Sequence, residues 1–202
     1  LLKTLPRRHL LNGLCEIIKL AIIADAELFD LLELHGAECV GSRFQNAQSD
    51  ITLDRAIAGM IKELEPNLFE EELARKVDFG HTFSYGLETR HEANLLHGEA
   101  VLLDILLSTL IARGRNLMTD DETSRVFRLT RELGFAIDAS VLDPSLLCAS
   151  LTERTYHRNG LQRVPMPRGI GDCAFLNDIH AAEIESAVKT LEDWMAKEYE
   201  VL

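Results

Sequence analysis

The segment EAVLLDILLSTLIA, within residues 98–112, constrains the fold more than any other part of the chain. If this segment is helical, hydrophobic side chains occur on nearly every face rather than along a single stripe. A helix that is hydrophobic all round has to be covered by other elements on most of its faces. The segment therefore predicts a buried central helix within a multi-helix fold.

The other segments supply helices that can cover it. Apolar residues recur at helical spacing along most of the chain. The side chains of Asp25, Thr119 and Asp178 are suited to N-cap helices. Gly36 is suited to end a helix. Two short alternating runs around residues 167–171 predict a β-hairpin. The expected fold class is mainly α with one short hairpin, with helices at residues 12–23, 26–34, 49–64, 83–90, 98–112, 119–133, 144–151 and 178–197 and strands at residues 161–165 and 172–176.

Length and motifs bound the domain organisation. With 202 residues, of which 47% are hydrophobic, the chain can bury a sizeable core, and we treat residues 1–202 as one helical domain. The sequence contains no G-x-G-x-x-G motif and no alternating strand–helix pattern, so we expect no nucleotide-binding half within these residues. Because the first residue is Leu1 rather than Met, the sequence is expected to be a piece of a longer protein.

Charge and cysteine usage restrict the partners and the compartment. The net charge of -12 disfavours binding to nucleic acid or to an anionic membrane. The sequence contains no run of about eighteen apolar residues, so we predict no membrane-spanning helix within it. The four cysteines form no C-x-x-C pair and lie in apolar settings, which favours reduced thiols in a cytoplasmic protein.

Three of the seven histidines lie within residues 77–101. His81 and His97 occur in the settings FGHTFS and LLHGEAV, where a glycine lets the backbone approach closely and hydrophobic neighbours can hold the ring. Imidazole is a common metal ligand near neutral pH. Two histidines satisfied at helix starts are the alternative interpretation. His91, beside charged residues, is expected to be exposed.

A third candidate ligand lies on the first predicted helix. Glu16 is surrounded by Leu14, Ile17 and Ile18, and a carboxylate in such a setting needs a partner or a metal. Lys19 follows three residues later on the same face, so a surface ion pair is the alternative. Glu16, His81 and His97 together would suit Zn²⁺ with an open position for substrate oxygens.

The chain resembles the C-terminal metal-binding domain of the dehydroquinate synthase superfamily, the sugar phosphate cyclases. The resemblance is carried, in order, by the blocks LKTLPRRHLLNGLCEIIKLAIIADAELFDLLE, EPNLFEEELARKVDFGHTFS, LLHGEAV and HRNGLQRVPMPRGIG. It implies that Glu16, His81 and His97 bind Zn²⁺ or Co²⁺, which accept similar ligands. It also implies that Lys19 binds substrate, that an N-terminal half or subunit binds NAD, and that the protein is a homodimer.

Departures from dehydroquinate synthase itself point to a subgroup. Asp78 stands where the family has Asn, Tyr85 where it has a second His, Met60 where it has a substrate Lys, and Ala74 where it has Arg. Losing both cations argues for a substrate without a carboxylate, and Asp78 could accept hydrogen bonds from sugar hydroxyls. The details are most similar to 2-epi-5-epi-valiolone and desmethyl-4-deoxygadusol synthases, which cyclise sedoheptulose 7-phosphate. Those enzymes would be expected to have Pro at the position of Tyr85, so the product stays open.

The resemblance implies a phosphate-eliminating cyclase, a carbon–oxygen lyase. NAD would transiently oxidise one hydroxyl, phosphate would leave, the hydride would return, and an aldol closure would form the carbocycle. The catalytic residues implied are Lys19, Asp78 and His157, and the substrate-binding residues are these three together with Met60, Tyr85 and Arg158. From the sequence alone, a plain turn at Asn159-Gly160 is the favoured interpretation of the loop that holds His157 and Arg158.

Three alternatives stay open at this point. One is 3-dehydroquinate synthase proper. Another is a metal-binding remnant or dimerisation module without turnover. The third is a metal-dependent polyol dehydrogenase of similar architecture, which would release NADH and whose ligand pattern differs from the E-x-x-K block at Glu16 and Lys19.

Overall fold

The computed structural model describes residues 1–89, 94–136 and 138–199, so the prediction for His91 lies outside the described residues. The described residues form eight α-helices and a two-stranded antiparallel sheet, which confirms the predicted fold class. The helices are α1 (Arg7–Ala24), α2 (Ala26–Gly41), α3 (Ala47–Leu64), α4 (Ser84–Glu88), α5 (His97–Gly114), α6 (Asp120–Glu132), α7 (Pro144–Tyr156) and α8 (Ala181–Tyr199), and the strands are β1 (Val164–Pro167) and β2 (Cys173–Leu176).

Helix α5 lies at the centre of the fold. Every residue from 100 to 112 is buried, and the helix packs against α1, α4, α6, α8 and β1. Because neighbours surround this helix, hydrophobic side chains are favoured all the way round it. The prediction of a buried central helix is confirmed.

Helices α1 and α5 come into close contact at Gly98. The Gly98 N–H donates a 2.6 Å hydrogen bond to Oδ1 of Asn12 on α1. A Cβ at Gly98 would overlap the backbone carbonyl of Asn12, so this contact requires glycine. Glu16 lies one helical turn after Asn12, and His97 immediately precedes Gly98. The close approach of the two helices therefore brings Glu16 and His97 together.

Three predicted helix boundaries are wrong by five residues or more. Helix α1 begins at Arg7 rather than at residue 12. Helix α2 continues past Gly36 to Gly41. A Cβ at Gly36 would lie 2.7 Å from Cδ2 of Leu133, so this glycine permits close packing against the end of α6 instead of ending the helix. Helix α7 extends beyond residue 151 to Tyr156.

The predicted N-caps have different outcomes. The side chains of Asp25 and Thr119 accept backbone hydrogen bonds at the starts of α2 and α6, as predicted. The prediction for Asp178 is wrong, because α8 begins only at Ala181 and the Asp178 carboxylate accepts a 2.6 Å hydrogen bond from Arg115. Asp178 therefore pairs with Arg115, the residue that follows α5, instead of capping α8.

The hairpin forms slightly later in the chain than predicted. The Arg154 guanidinium donates to the carbonyl oxygens of Gln162 and Arg163 at 2.9 and 3.0 Å. Because a side chain engages those carbonyls, strand pairing starts at Val164, opposite Leu176. All of β1 is buried, and it packs on α5.

Two further observations concern cysteines and membranes. The four cysteines are free thiols, and Cys15 and Cys39 are buried. Within the described ranges, no helix combines the length and the apolar character that crossing a bilayer would require.

Candidate metal centre

Three separate elements bring the predicted ligands together. Glu16 lies on α1, His81 on the loop before α4, and His97 at the first residue of α5. One donor atom from each lies within 4.8 Å of the others. Oε1 of Glu16 is 3.6 Å from Nε2 of His97 and 3.9 Å from Nε2 of His81. The structure therefore places the three residues in one cluster, as the sequence predicted.

The carboxylate of Glu16 is incompletely bonded in a way that fits a cation. Its Oε1 atom is buried and has no hydrogen-bond partner among the described residues. A buried oxygen without a partner costs free energy, which a bound divalent ion would offset. Tetrahedral ligands about 2.1 Å from Zn²⁺ lie about 3.4 Å apart, so the two separations from Glu16 are within about 0.5 Å of that spacing. The donor set of one carboxylate and two imidazoles fits Zn²⁺ or Co²⁺.

His81 is in the protonation state that metal binding needs. Burial, together with the positive charge of Lys19, lowers the pKa of His81 to about 4. The imidazole is therefore neutral at pH 7 and keeps a lone pair for a metal. The His81 and His97 rings stack with centroids 5.3 Å apart.

Lys19 lies beneath the ligands rather than on the surface. Its side chain is almost fully buried, and Nζ is 2.5 Å from Oε2 of Glu16 and 3.2 Å from Nε2 of His81. The alternative of an exposed ion pair between Glu16 and Lys19 is therefore wrong. The ammonium group therefore lies next to two of the three candidate ligands.

The loop that carries His81 is shaped by Gly80. Its φ of +79° is a left-handed conformation that glycine adopts without strain. A Cβ at Gly80 would also lie 2.9 Å from Cγ1 of Val101, so the loop can pack directly on α5. These two requirements explain the glycine of FGH in physical terms.

Asp104 on α5 holds the residues that follow His81. This fully buried carboxylate accepts hydrogen bonds at Oδ2 from the backbone N–H groups of Thr82, Phe83 and Ser84, at 2.7, 2.5 and 3.1 Å. Its Oδ1 accepts from the Ser108 hydroxyl at 3.0 Å. Burial raises the pKa of Asp104, and these hydrogen bonds oppose the rise. The sequence analysis missed this role, although a lone acid in the run LLDILL was a usable signal.

Two glutamates fix the region around His97. Glu99 accepts a hydrogen bond from the Leu96 N–H at 2.8 Å and a bidentate pair from Arg8 at 2.6 and 2.7 Å, so it caps the start of α5. Glu88, at the end of α4, lies 3.1 Å from Nδ1 of His97 through each of its oxygens. The sequence analysis did not identify Glu88.

A cleft of about 590 Å³ opens beside the two histidines. Among the predicted substrate-binding residues, Tyr85, His157 and Arg158 line it. Tyr85 is 61% exposed, so its ring faces the open side. Met60 does not line this cleft and packs against the hydrophobic core from α3.

Asp78 lies behind the cleft and is surrounded by arginines. Its Oδ1 accepts from Arg75 at 2.8 and 3.0 Å, and its Oδ2 accepts from Arg158 at 2.6 Å and from Arg154 at 3.2 Å. Burial alone would raise the pKa of Asp78, but the Arg158 hydrogen bond and the charges of Arg154 and Arg75 outweigh it and hold the pKa below its usual range. The family has an arginine at the position of Ala74, and the neighbouring Arg75 supplies a positive charge there instead. The surroundings of Asp78 therefore keep more positive charge than the loss of that arginine suggested.

Comparisons with known proteins give one family match and several similar relatives. Residues 13–155 match the 3-dehydroquinate synthase C-terminal family. The chain is 47% identical over 198 residues to 2-epi-5-epi-valiolone synthase from Streptomyces hygroscopicus subsp. jinggangensis, covering 95% of this chain and 48% of that protein. It is 35% identical over 196 residues to demethyl-4-deoxygadusol synthase from Trichormus variabilis, covering 93% and 48%. The chain therefore spans about half the length of these relatives.

Two solved structures are similar to the chain. ValA, the 2-epi-5-epi-valiolone synthase of Streptomyces hygroscopicus with NAD⁺ and Zn²⁺ bound, matches with a TM-score of 0.92 and 48% identity, over 95% of this chain and 53% of that one. A 2-deoxy-scyllo-inosose synthase complexed with carbaglucose-6-phosphate, NAD⁺ and Co²⁺ matches with a TM-score of 0.64 and 17% identity, over 92% and 53%. At that identity the second match indicates a shared fold only.

Proposed function

Because this chain belongs to the 3-dehydroquinate synthase C-terminal family, we propose that it is the metal- and substrate-binding half of a sugar phosphate cyclase. The observation that carries the proposal is the cluster of Glu16, His81 and His97, in which the buried Oε1 of Glu16 has no hydrogen-bond partner among the described residues. The relatives named above support the same conclusion, since they are synthases of carbocyclic products.

Glu16, His81 and His97 would hold Zn²⁺ or Co²⁺ at the inner end of the cleft. The ion would supply positive charge that binds substrate oxygens and stabilises negative charge developing on them. The chain itself keeps His81 neutral and places the Lys19 ammonium beside two of the ligands. We propose that Lys19 donates an N–H to a substrate oxygen near the reacting carbon.

The arginines at the back of the cleft suit a phosphate group. Arg158 lines the cleft, and its Nε is buried with no hydrogen-bond partner among the described residues. Guanidinium groups bind phosphate through charge-assisted hydrogen bonds. We propose that Arg158 and His157 contact the phosphate, and that Asp78 acts by positioning Arg154 and Arg158, since both its oxygens already accept from arginines.

The proposed reaction converts a ketose phosphate, sedoheptulose 7-phosphate, to a carbocycle with loss of phosphate, which is a carbon–oxygen lyase reaction. NAD, bound by the other half of the enzyme, would supply a transient oxidation and the return of the same hydride, so the overall reaction is redox neutral. The absence of a cation at Met60 and Ala74 supports a substrate without a carboxylate. The homodimer implied by the resemblance and the cytoplasmic location favoured by the cysteine usage stay predictions.

A complementation assay tests this proposal. The chain is mixed with the N-terminal half of the 47% identical Streptomyces relative, NAD, Zn²⁺ and sedoheptulose 7-phosphate, and released phosphate is measured. We expect phosphate release that needs both halves and is lost in Glu16→Gln. Release from the carboxylate-bearing substrate of 3-dehydroquinate synthase instead would overturn the proposed substrate class. Accumulation of NADH would indicate a dehydrogenase and contradict the proposed cyclase.

A further inference from the structure

The two ring nitrogens of His97 face different carboxylates. Nε2 faces the metal cluster, 3.6 Å from Oε1 of Glu16. Nδ1 faces the opposite way and lies 3.1 Å from each carboxylate oxygen of Glu88. A neutral imidazole carries one N–H and one lone pair, so its two nitrogens cannot play the same role.

We propose that Glu88 is the positioning residue of His97. An ionised carboxylate only accepts hydrogen bonds, so it keeps the imidazole proton on Nδ1 and leaves the Nε2 lone pair facing Glu16 and His81. This inference rests on the proposed function, because the lone pair matters only if the cluster binds a metal. Glu88 does not itself belong to the cluster of donor atoms.

The fold holds Glu88 at the correct place for this role. Helix α4 is anchored at its start by the hydrogen bonds between Asp104 and residues 82–84. It packs tightly on α7, since a Cβ at Gly86 would overlap the hydroxyl of Ser150. His81 lies just before this anchored segment and Glu88 at its end. One rigid segment therefore carries both a metal ligand and the group that orients another.

The charged groups around Glu88 are consistent with its proposed role in positioning His97. Within the described ranges, the ion pair that Glu88 forms is with His97, and no lysine or arginine of those ranges competes for its oxygens. Its side chain is about one-third exposed, at 33%, so replacing it leaves no large cavity. A change in metal binding caused by substitution can therefore be separated from loss of folding.

The experiment measures metal binding rather than turnover. Co²⁺ and Zn²⁺ affinities of the parent chain, Glu88→Gln, Glu88→Ala and Glu153→Gln are measured by competition with a chelator, together with the visible absorption spectrum of bound Co²⁺. Glu153 is the matched control, because it is an exposed acid lining the same cleft. Thermal melting without metal checks that all four proteins fold.

We expect Glu88→Ala to weaken metal binding by about 10–100-fold and to change the Co²⁺ spectrum, as for other outer partners of histidine ligands. Glu88→Gln keeps an acceptor oxygen, so it should weaken metal binding less, by about 10-fold or below. Glu153→Gln should match the parent. Equal affinity and an unchanged spectrum in Glu88→Ala would overturn the positioning role alone, whereas a parent chain that binds neither ion would overturn the proposed metal centre itself.

Discussion

Two carboxylates on the neighbouring helices α1 and α5 differ in how completely they are hydrogen-bonded. Asp104 on α5 is fully buried, and both of its oxygens accept hydrogen bonds from the protein. Glu16 on α1 is 34% exposed at its side chain, yet its buried Oε1 has no hydrogen-bond partner among the described residues. The surrounding residues donate hydrogen bonds to both oxygens of Asp104, whereas Oε1 of Glu16 receives none from the described residues.

The difference separates a structural acid from a ligand. A carboxylate whose acceptor sites are filled by backbone N–H groups contributes to stability, since those donors would otherwise be buried without partners. A carboxylate with a buried, unbonded oxygen costs stability unless something outside the chain binds it. Substitution of Asp104 should therefore change mainly folding, and substitution of Glu16 mainly metal binding.

The largest expected effect is on folding. Asp104→Ala removes the acceptor of three backbone N–H groups and a hydroxyl, and should lower the free energy of unfolding by about 3–5 kcal/mol. Asp104→Asn keeps one acceptor oxygen and should lower it by about 1–2 kcal/mol. Urea denaturation of the metal-free proteins measures both values. A free energy of unfolding for Asp104→Ala within 1 kcal/mol of the parent value would mean that Asp104 is not a structural acid.

The second prediction concerns metal affinity. Glu16→Gln should weaken Zn²⁺ binding by about 100-fold or more, beyond what loss of an outer hydrogen bond causes. The amide oxygen still accepts from the buried Lys19 but carries no charge, so the metal-free protein should lose about 1–2 kcal/mol of its free energy of unfolding. Titration calorimetry with Zn²⁺ and denaturation in chelator provide the two readouts. If Glu16→Gln instead destabilised the metal-free chain as strongly as Asp104→Ala, the contrast between the two acids would disappear.

The third prediction concerns the helix contact that connects the two regions. Gly98→Ala introduces a Cβ that overlaps the Asn12 carbonyl, so α1 and α5 must separate. We expect a loss of about 1–3 kcal/mol in the free energy of unfolding, with weaker metal binding because Glu16 moves away from His97. Gly114→Ala on the same helix is the control, since a Cβ there meets nothing within 4 Å. Unchanged metal affinity in Gly98→Ala would show that the helix spacing does not set the ligand geometry.

The smallest effect is a pH dependence at Asp78. Arginines hold the pKa of Asp78 below its usual range, so its contribution to stability is present above the unfolded value of about 3.9 and is lost as the pH falls through the native pKa. The difference in unfolding free energy between the parent and Asp78→Asn should therefore be constant from pH 7 to about pH 5 and narrow at lower pH. A difference that stays constant down to pH 2.5 would contradict this account of the arginine cluster.

Local patterns were sufficient to predict part of the structure. The hydrophobic run at residues 98–112 predicted the central helix, and the short motifs around His81 and His97, with Glu16, predicted a cluster that the structure forms. Each of these features has a signal within a few residues: all-round hydrophobicity, or a histidine beside a glycine.

The features that the sequence analysis missed depend on distant partners. Asp104 works through a loop that precedes it by about twenty residues in the chain, and Glu88 through a histidine on another helix. Asp178 has the local signature of an N-cap but pairs with Arg115. In each case tertiary packing decides which partner the side chain meets, and no local pattern encodes that choice.

The contrast between the two carboxylates is tested most directly by counting the ligands of bound Co²⁺. X-ray absorption of the Co²⁺-loaded chain should show two imidazole ligands and at least one carboxylate oxygen, and Glu16→Gln, His81→Ala and His97→Ala should each lose bound metal. Full metal retention in all three variants, or a Co²⁺ site without imidazole, would contradict the proposed centre.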